Sequence, residues 1–143
     1  MTTEIHEAGC LCGAVRYRII GDRYLAGICH CTFCQRRTGS AFGMAAYFDE
    51  KSVEITHGVL NTNEYRFDES HRWLGIEFCP SCGTTVTWTA EALPGARAIA
   101  GGTPLDKPNW LRIGRHYWTR SAQHCMVYPP GAEISLTNRF SEE

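Results

Sequence analysis

Cysteine is the residue type whose number and spacing in this chain can support chemistry. Seven of the eight cysteines form three clusters with the spacings C-x-C, C-x-C-x-x-C and C-x-x-C-G: Cys10 and Cys12; Cys29, Cys31 and Cys34; Cys79 and Cys82. The tight C-x-x-C-G turn lets two sulfurs face one ion, and the glycine that follows supplies the positive φ that such a turn often needs. Sulfur ligands at these spacings indicate zinc, with an iron–sulfur cluster as the alternative.

The seven clustered thiols can be divided between two kinds of metal site. A closed site with four protein ligands is structural, whereas three protein ligands leave a position open for water or substrate. The count favours a structural zinc on the four-cysteine cluster: Cys10, Cys12, Cys79 and Cys82. It favours an open zinc on the three-cysteine cluster: Cys29, Cys31 and Cys34.

Two other arrangements remain open at this point. A zinc-ribbon site could instead combine Cys31, Cys34, Cys79 and Cys82. Alternatively, both zincs could be purely structural, and the second would then take a fourth ligand from Cys125, His30 or His57. Buried thiols that bind no metal are the least expected case, because cysteines at such spacings rarely lack a metal or a disulfide.

Short β-strands must position these clusters. Alternating or β-branched runs that end at turn residues predict six or seven strands, and one short run predicts a helical turn. The predicted strands are 14–20, 42–48, 52–56, 63–67, 73–78, 84–89 and, as the seventh, 97–100, and the helical turn is 31–38. The sequence therefore predicts a mostly β fold of antiparallel sheets with one or two short helices. The prolines after Gly102 predict extended segments on the surface of the sheet.

Composition excludes several classes of function. The 143 residues fit one domain, 1–143, with an extended C-terminal segment at 122–143. The 14 Lys and Arg against 15 Asp and Glu give a net charge of −1, which excludes a nucleic-acid binder driven by phosphate neutralisation. No apolar run approaches the roughly 20 residues of a membrane span, and residues 1–8 lack the apolar core of a secretory signal. We therefore expect a cytoplasmic protein without nucleic-acid or membrane partners.

The cysteine motifs carry a resemblance to a known family. Residues 9–17 (GCLCGAVRY), 29–42 (CHCTFCQRRTGSAF) and 78–84 (FCPSCGT) resemble three motifs of the glutathione-dependent formaldehyde-activating enzyme family. This family also includes the centromere protein V-type domains. Residues 105–108 and 115–119 resemble its weaker C-terminal pieces, so that the resemblance covers about residues 8–121.

The resemblance implies a fold, two metals and an activity. It implies a β-tent fold in which antiparallel sheets join at a structural zinc on the four-cysteine cluster. It implies a second, catalytic zinc on the three-cysteine cluster. The implied activity is formation of S-hydroxymethylglutathione from glutathione and formaldehyde, which is carbon–sulfur lyase chemistry in the reverse sense. Near residues 123–126 the family often carries a Pro-Trp pair that is absent here, and Cys125 has no counterpart.

An open zinc would suit a thiol and an aldehyde as small-molecule partners. A free thiol has a pKa near 8.5, and coordination to zinc removes its proton. Three thiolates already give the zinc site a net charge of −1, so a positive neighbour would help. Arg36 and Arg37 follow the three-cysteine cluster, and arginine can bind a carboxylate through two N–H groups. We expect one of this pair to bind an anionic thiol such as glutathione; the alternatives are a solvated arginine and a brace to the thiolates.

The histidines and tryptophans are expected to have structural roles. His30 is expected to point away from the metal and bond the backbone, with proton transfer as the alternative. His57, His71, His116 and His124 are expected in loops or on the surface, and the four tryptophans in core and groove packing: Trp73, Trp88, Trp110 and Trp118. Two further functions compete with an enzyme, namely a non-catalytic zinc-stabilised binding module and a labile or redox-sensing zinc site.

Overall fold

A computed structural model describes residues 4–23, 25–105 and 111–138. Within these ranges the chain forms eleven strands, one α-helix and two 3₁₀ turns. The strands are β1 (Ile5–Gly9), β2 (Arg16–Ile20), β3 (Leu25–Cys29), β4 (Gly43–Asp49), β5 (Val53–His57), β6 (Asn61–Arg66), β7 (Trp73–Phe78), β8 (Thr85–Ala90), β9 (Ala96–Ala100), β10 (Arg115–Tyr117) and β11 (Glu133–Ile134). The helix α1 is Thr32–Thr38, and the 3₁₀ turns are Glu50–Ser52 and Thr119–Ser121.

The strands form two sheets, which confirms the predicted mostly β fold. The smaller sheet has the order β1-β2-β5, and the larger has the order β11-β10-β3-β4-β9-β8-β7-β6. Every pairing is antiparallel except those of β10, which runs parallel to β3 on one side and to β11 on the other. The larger sheet is therefore mixed rather than purely antiparallel. No helix in the described ranges is long and apolar enough to cross a membrane.

Each predicted strand corresponds to an observed one, but four observed strands lay outside the prediction. The predicted runs overlap β2 and β4 to β9, and the helical turn corresponds to α1. The sequence analysis missed β1, β3, β10 and β11. β10 and β11 have only three and two residues, and β1 (IHEAG) and β3 (LAGIC) contain small residues that weaken the β-strand pattern. The predicted packing of Trp110 lies outside the described residues, and the single domain over 1–143 stays a prediction.

The core lies between the two sheets. Alternate residues of β2, Tyr17 and Ile19, are fully buried against Ala46 and Phe48 of β4 and Ile99 of β9. This is the alternation expected for a strand with one buried face. Full burial of each large apolar side chain contributes about 1.5–3 kcal/mol, so this face supplies much of the stability.

A charged group also lies on this inner face. Glu77 accepts hydrogen bonds from both the Nε and Nη2 groups of Arg97, and the Thr87 hydroxyl donates to the same carboxylate at 2.9 Å. The side chains of Glu77 and Arg97 are each only 16% exposed. Paired in this bidentate way, the two charges are compensated and tie together β7, β8 and β9.

The opposite face of the larger sheet is the one that positions the candidate site. Residues paired across antiparallel strands lie on the same face of a sheet. The pairs Leu25–Tyr47, Gly27–Ala45 and Cys29–Gly43 of β3 and β4 therefore lie on this face. Phe33 of α1 packs against an apolar cluster on this face that is built around Leu74, Trp88 and Ala98. Here the helix lies beside the last residue of β3, which is Cys29.

Candidate metal centres and their cavity

The four-cysteine cluster joins the two sheets. Cys10 and Cys12 lie in the turn between β1 and β2 of the smaller sheet, whereas Cys79 and Cys82 lie in the turn between β7 and β8 of the larger one. The four Sγ atoms nevertheless all lie within 4.8 Å of one another. Residues that are 67 positions apart in the chain, Cys12 and Cys79, thus approach each other to 3.8 Å between their sulfurs.

The spacing of these sulfurs fits a tetrahedral zinc. Zinc–sulfur bonds of about 2.3 Å put neighbouring sulfurs of a tetrahedron about 3.8 Å apart. The Cys10–Cys12 sulfur distance is 3.7 Å and the Cys12–Cys79 distance is 3.8 Å. Cys10 and Cys79 are almost fully buried, where thiolates without a cation would be costly. The four-cysteine cluster can therefore hold zinc as a closed site.

Backbone and hydroxyl groups around this cluster stabilise thiolates. The Val15 N–H donates to Cys10 Sγ at 3.3 Å, and the Ala14 N–H donates to Cys12 Sγ at 3.5 Å. The hydroxyl of Thr84 lies 3.1 Å from Cys82 Sγ, and this contact, together with backbone N–H groups of Thr84 and Cys12, lowers the pKa of the Cys82 thiol to about 5. Gly83 has a φ of 77°, as expected for the residue that completes the turn.

The three-cysteine cluster is formed by one strand end and one helix start. Cys29 ends β3, Cys31 is the N-cap of α1, and Cys34 lies in its first turn. Their sulfurs lie within 4.8 Å of one another, and each residue is half-buried. The Cys34 N–H donates to Cys31 Sγ at 3.3 Å, so that one sulfur both caps the helix and faces the other two.

Crowding of these three thiols separates their protonation states. Contacts with Cys29 and then Cys34 lower the pKa of Cys31 to about 2. The same contacts with Cys31 and Cys34, together with burial, raise the pKa of Cys29. The cluster alone therefore favours one thiolate over three, and a divalent cation would relieve this repulsion. This donor set also fits zinc, with three protein ligands.

A cavity of about 670 Å³ opens beside the three-cysteine cluster. The three cysteines line it together with apolar and aromatic side chains from the outer face of the larger sheet, and with residues 117, 118, 120 and 121 from the C-terminal part of the chain. Its charged lining residues among the described parts of the chain are Arg37, Glu69 and Arg120. Three thiols thus face a partly open cavity in which a small molecule can lie.

The structure separates the two arginines, which the sequence left equivalent. The guanidinium of Arg37 lies over the Trp88 ring at 4.6 Å, lines the cavity, and is close enough to Cys34 to lower its pKa in part. Arg36 is exposed and lines only a second cavity of about 740 Å³ on the other side of α1. Geometry therefore favours Arg37 as the cation beside the thiols.

His116 corrects one of the sequence predictions. It lies in β10 and is only 7% exposed, so the expectation of a loop or surface residue was wrong. Its Nδ1 lies 2.9 Å from Nε2 of His30, which is fully buried, and the Tyr128 ring packs edge-on against both imidazoles. His30 therefore bonds a second imidazole rather than the backbone, and burial lowers the pKa of both histidines.

Gln35 links the metal loop to the C-terminal part of the chain. Its Nε2 donates to the carbonyl of His30 at 2.8 Å and to that of Ser121 at 2.9 Å, while Gln123 donates to its Oε1 at 3.2 Å. Gln35 and the wall residue Tyr117 escaped the sequence analysis, since a single polar or aromatic residue carries no spacing signal, whereas Trp118 lines the cavity in line with its predicted groove packing. The QRR sequence directly after the third cysteine was the available signal for Gln35.

The alternative ligands lie apart from both clusters. Among the described residues, the potential metal-ligand groups of three or more are the four-cysteine and three-cysteine clusters, and neither contains Cys125, His30 or His57. Cys125 and His57 are exposed. The structure also groups Cys79 and Cys82 with the β1–β2 turn rather than with Cys31 and Cys34. The zinc-ribbon alternative therefore has no support in this geometry.

Comparisons with known proteins agree with this architecture. The sequence model of the glutathione-dependent formaldehyde-activating enzyme family matches residues 5–121. A Halomonas elongata protein, whose name proposes it to be a glutathione-dependent formaldehyde-activating enzyme, is 24% identical over 153 aligned positions, covering 90% of this chain and 91% of that one. A crystal structure of a Rhodobacter sphaeroides protein shares the fold, with a TM-score of 0.51 and 23% identity over 66% of this chain and 84% of that chain.

Proposed function

The chain belongs to the glutathione-dependent formaldehyde-activating enzyme family, and from that premise we propose that it is a zinc-dependent enzyme of the carbon–sulfur lyase type. Its substrates are a small thiol such as glutathione and an aldehyde such as formaldehyde. The observation that carries the proposal is the three-cysteine cluster, whose half-buried sulfurs lie within 4.8 Å of one another and line a cavity beside Arg37. The proposal includes two zincs per chain, one structural and one at the open cluster.

The reaction needs no redox partner. A bond forms between the thiol sulfur and the carbonyl carbon, the C=O double bond becomes a single bond, and the thiol proton is transferred to the carbonyl oxygen. The product is an S-(1-hydroxyalkyl) adduct, and the reverse reaction breaks the same carbon–sulfur bond. Zinc held by Cys29, Cys31 and Cys34 would lower the pKa of a substrate thiol, because coordination stabilises the thiolate.

The residues of the chain would bind and orient the reactants. Arg37 stacks on Trp88 and therefore presents its guanidinium from a defined position, from which it can bind a carboxylate of an anionic thiol. The same positive charge offsets the negative charge of the three thiolates. The apolar and aromatic walls of the cavity lower the local dielectric, which strengthens both interactions.

Arginine and cysteine variants test the proposal. We expect Arg37→Gln to raise the KM for glutathione about 10-fold or more, because a charge-assisted contact is worth about 1.5–3 kcal/mol. Arg72→Gln is the control, since Arg72 is an exposed arginine that lines neither cavity. Cys34→Ala should abolish glutathione-dependent consumption of formaldehyde, whereas Cys125→Ala, which changes an exposed cysteine outside both clusters, should not.

One experimental result would show that the enzyme proposal is wrong. If the wild-type protein binds glutathione and two zincs but consumes formaldehyde no faster than free glutathione does, the chain is a binding module. The uncatalysed reaction of thiols with formaldehyde must therefore be subtracted in every assay.

The proposal also includes a reducing, cytoplasmic setting, which the eight free cysteines support. It includes small molecules rather than nucleic acid as partners, in line with the net charge of −1.

A further inference from the structure

The cavity beside the three-cysteine cluster has a floor of small residues and apolar walls. Ala45 lies at the centre of the floor, paired with Gly27 on one side and with Ala100 on the other. Around it stand apolar side chains from four different segments of the chain: Leu25, Leu74, Trp88 and Leu93. Small residues in the middle of a sheet, surrounded by large apolar ones, leave a trough rather than a filled core.

This trough is too large and too apolar for formaldehyde alone. The whole cavity, of which the trough is the apolar part, has a volume of about 670 Å³, and sites of roughly 300–1,000 Å³ with apolar walls enclose whole drug-sized ligands. Formaldehyde consists of one carbonyl group and has no apolar part to bury. The polar groups of glutathione suit the part of the cavity near Arg37, Glu69 and Arg120, because its carboxylates, amine and peptide groups would lose hydrogen bonds against the apolar side chains of the trough.

The second cavity adds polar groups, set among aromatic walls, that glutathione can use. It lies across α1 from the first and includes Thr32, Arg36, Asn63 and Thr85 in its lining. The two cavities share Thr32, Phe33, Arg37 and Phe67. A ligand whose carboxylates lie toward Arg36 and Arg37 can thus extend its thiol past the helix into the first cavity. The apolar trough is then left for the other reactant.

We propose that the aldehyde carries an apolar alkyl or aryl group, which binds in the trough formed by Leu25, Ala45, Leu74, Trp88 and Leu93. This inference rests on the proposed function and specifies its substrate class. The reaction keeps the same balance: the thiol sulfur bonds to the carbonyl carbon, and its proton passes to the oxygen. The adduct places the apolar group beside the sulfur, where the trough adjoins the three-cysteine cluster.

Stable thioethers test the inference without turnover. S-methylglutathione and S-butylglutathione differ by three methylene groups, and their Kd values for the zinc-loaded protein can be measured by titration calorimetry. Each fully buried methylene tightens binding about fourfold, so we expect S-butylglutathione to bind up to about 50-fold more tightly. Equal Kd values for the two thioethers would overturn the inference.

Variants of the trough locate the binding. Ala45→Leu fills the centre of the floor and should reduce the butyl-to-methyl ratio to below about fivefold. Ala92→Leu, which adds the same atoms at an exposed turn position outside both cavities, should keep the wild-type ratio. Leu93→Ala removes a wall residue without enlarging a core side chain and should also lower the ratio, which covers the case in which Ala45→Leu does not fold. A wild-type ratio in both Ala45→Leu and Leu93→Ala would contradict the assignment.

The same titrations separate this inference from the proposed function. If the enzyme accelerates the reaction of glutathione with formaldehyde but the two thioethers have equal Kd values, the inference of an apolar aldehyde is wrong and the proposed function stands. If S-butylglutathione binds more tightly than S-methylglutathione but no aldehyde is consumed, the apolar subsite stands and the enzyme proposal is wrong. If neither thioether binds, the inference is overturned.

Discussion

Gly43 has no side chain, and this leaves room for both Arg37 and Cys34. A methyl group on Gly43 would lie 3.0 Å from Arg37 Nη2, 3.3 Å from Cys34 Cβ and 3.4 Å from Cys34 Sγ. These distances are shorter than ordinary carbon contacts of about 3.5–4.0 Å. Glycine here serves close packing of the cation against the thiols, rather than a special backbone conformation.

Gly43→Ala should therefore disturb the site more than the fold. We expect Arg37 to shift by a few tenths of an ångström and glutathione binding to weaken by about 0.5–1.5 kcal/mol, the net worth of one hydrogen bond. Binding calorimetry and chemical denaturation of the same samples separate the two effects. Gly102→Ala is the matched control, because nothing lies within 4 Å of its added methyl group. Unchanged glutathione affinity in Gly43→Ala would show that Arg37 does not contact the ligand.

The pair of buried imidazoles connects the metal loop with β10 and has its own response to pH. Burial lowers the pKa of both His30 and His116 below 6.5, their usual value. Nδ1 of His30 has no hydrogen-bond partner among the described residues. Protonation of either ring would place a charge in this apolar layer, so the folded state binds these protons less readily than the unfolded chain does.

The free energy of unfolding should consequently fall as the pH falls. The stabilisation is fully present above the unfolded pKa of 6.5 and is lost as the pH falls through the lowered folded pKa. We expect His116→Gln to reduce the slope of stability against pH by up to about 1.4 kcal/mol per pH unit, the worth of one proton. Urea denaturation across the acidic range at constant zinc measures this slope. His124→Gln changes an exposed histidine and should keep the wild-type slope; an equal loss of slope in both variants would contradict the explanation.

At the scale of elements, β10 is the strand that completes the cavity. It pairs in parallel with β3, through His116 opposite Ile28 and Tyr117 opposite Cys29. The ring of Tyr117 lies directly over Gly27, where a side chain would overlap its Cε2 atom. The absence of a side chain at position 27 therefore lets β10 dock beside the three-cysteine cluster.

Gly27→Ala should loosen this docking. An added methyl group that overlaps an aromatic ring costs about 1–3 kcal/mol of stability, and the ring must move away from the cavity wall. Thermal denaturation gives the stability, and near-ultraviolet circular dichroism reports the displaced tyrosine. Gly114→Ala is the matched control, since it lies just before β10 and has open space at its added methyl group. Equal stability of the two variants would contradict the packing role of Gly27.

The same elements show what sequence patterns can and cannot predict. The strand at Trp73–Phe78 was predicted to the residue, and the C-x-x-C turn that follows it indicated a metal loop. β10 was not predicted, because three residues carry no periodicity and its parallel pairing depends on a partner 88 positions away. The burial of His116 and the separate positions of Arg36 and Arg37 likewise depend on tertiary packing. The seven clustered cysteines could be found from spacing alone, but the walls of the cavity could not.

On the scale of the whole molecule, the two clusters differ in what they hold together. The four-cysteine cluster connects turns of both sheets and contains two buried sulfurs, whereas the three-cysteine cluster lies on one sheet and opens on a cavity. A closed site with four protein ligands contributes folding energy directly, and an open one contributes less. Release of metal from the two clusters should therefore have different consequences for the fold.

With the two proposed zincs bound, mild chelation should remove them one at a time. We expect one zinc per chain to leave readily with unchanged far-ultraviolet circular dichroism, and the second to leave only as the two sheets separate. Metal content by atomic emission, measured alongside the spectrum, follows both events. Cys82→Ser should lower the thermal stability of the metal-loaded protein, whereas Cys34→Ser should mainly lower the first zinc content. Loss of both zincs together as the fold melts would contradict the distinction between a closed and an open cluster.

The position of β10 also has a consequence for how the site is made during synthesis. His30 and His116, which meet beside the three-cysteine cluster, are 86 positions apart. A ribosome that adds about 5–20 residues per second reaches the second histidine about 4–17 s after the first. During that interval the three thiols have been synthesised but one wall of their cavity has not. A nascent chain therefore offers these thiols to metal ions, or to oxidants, before it can enclose a substrate.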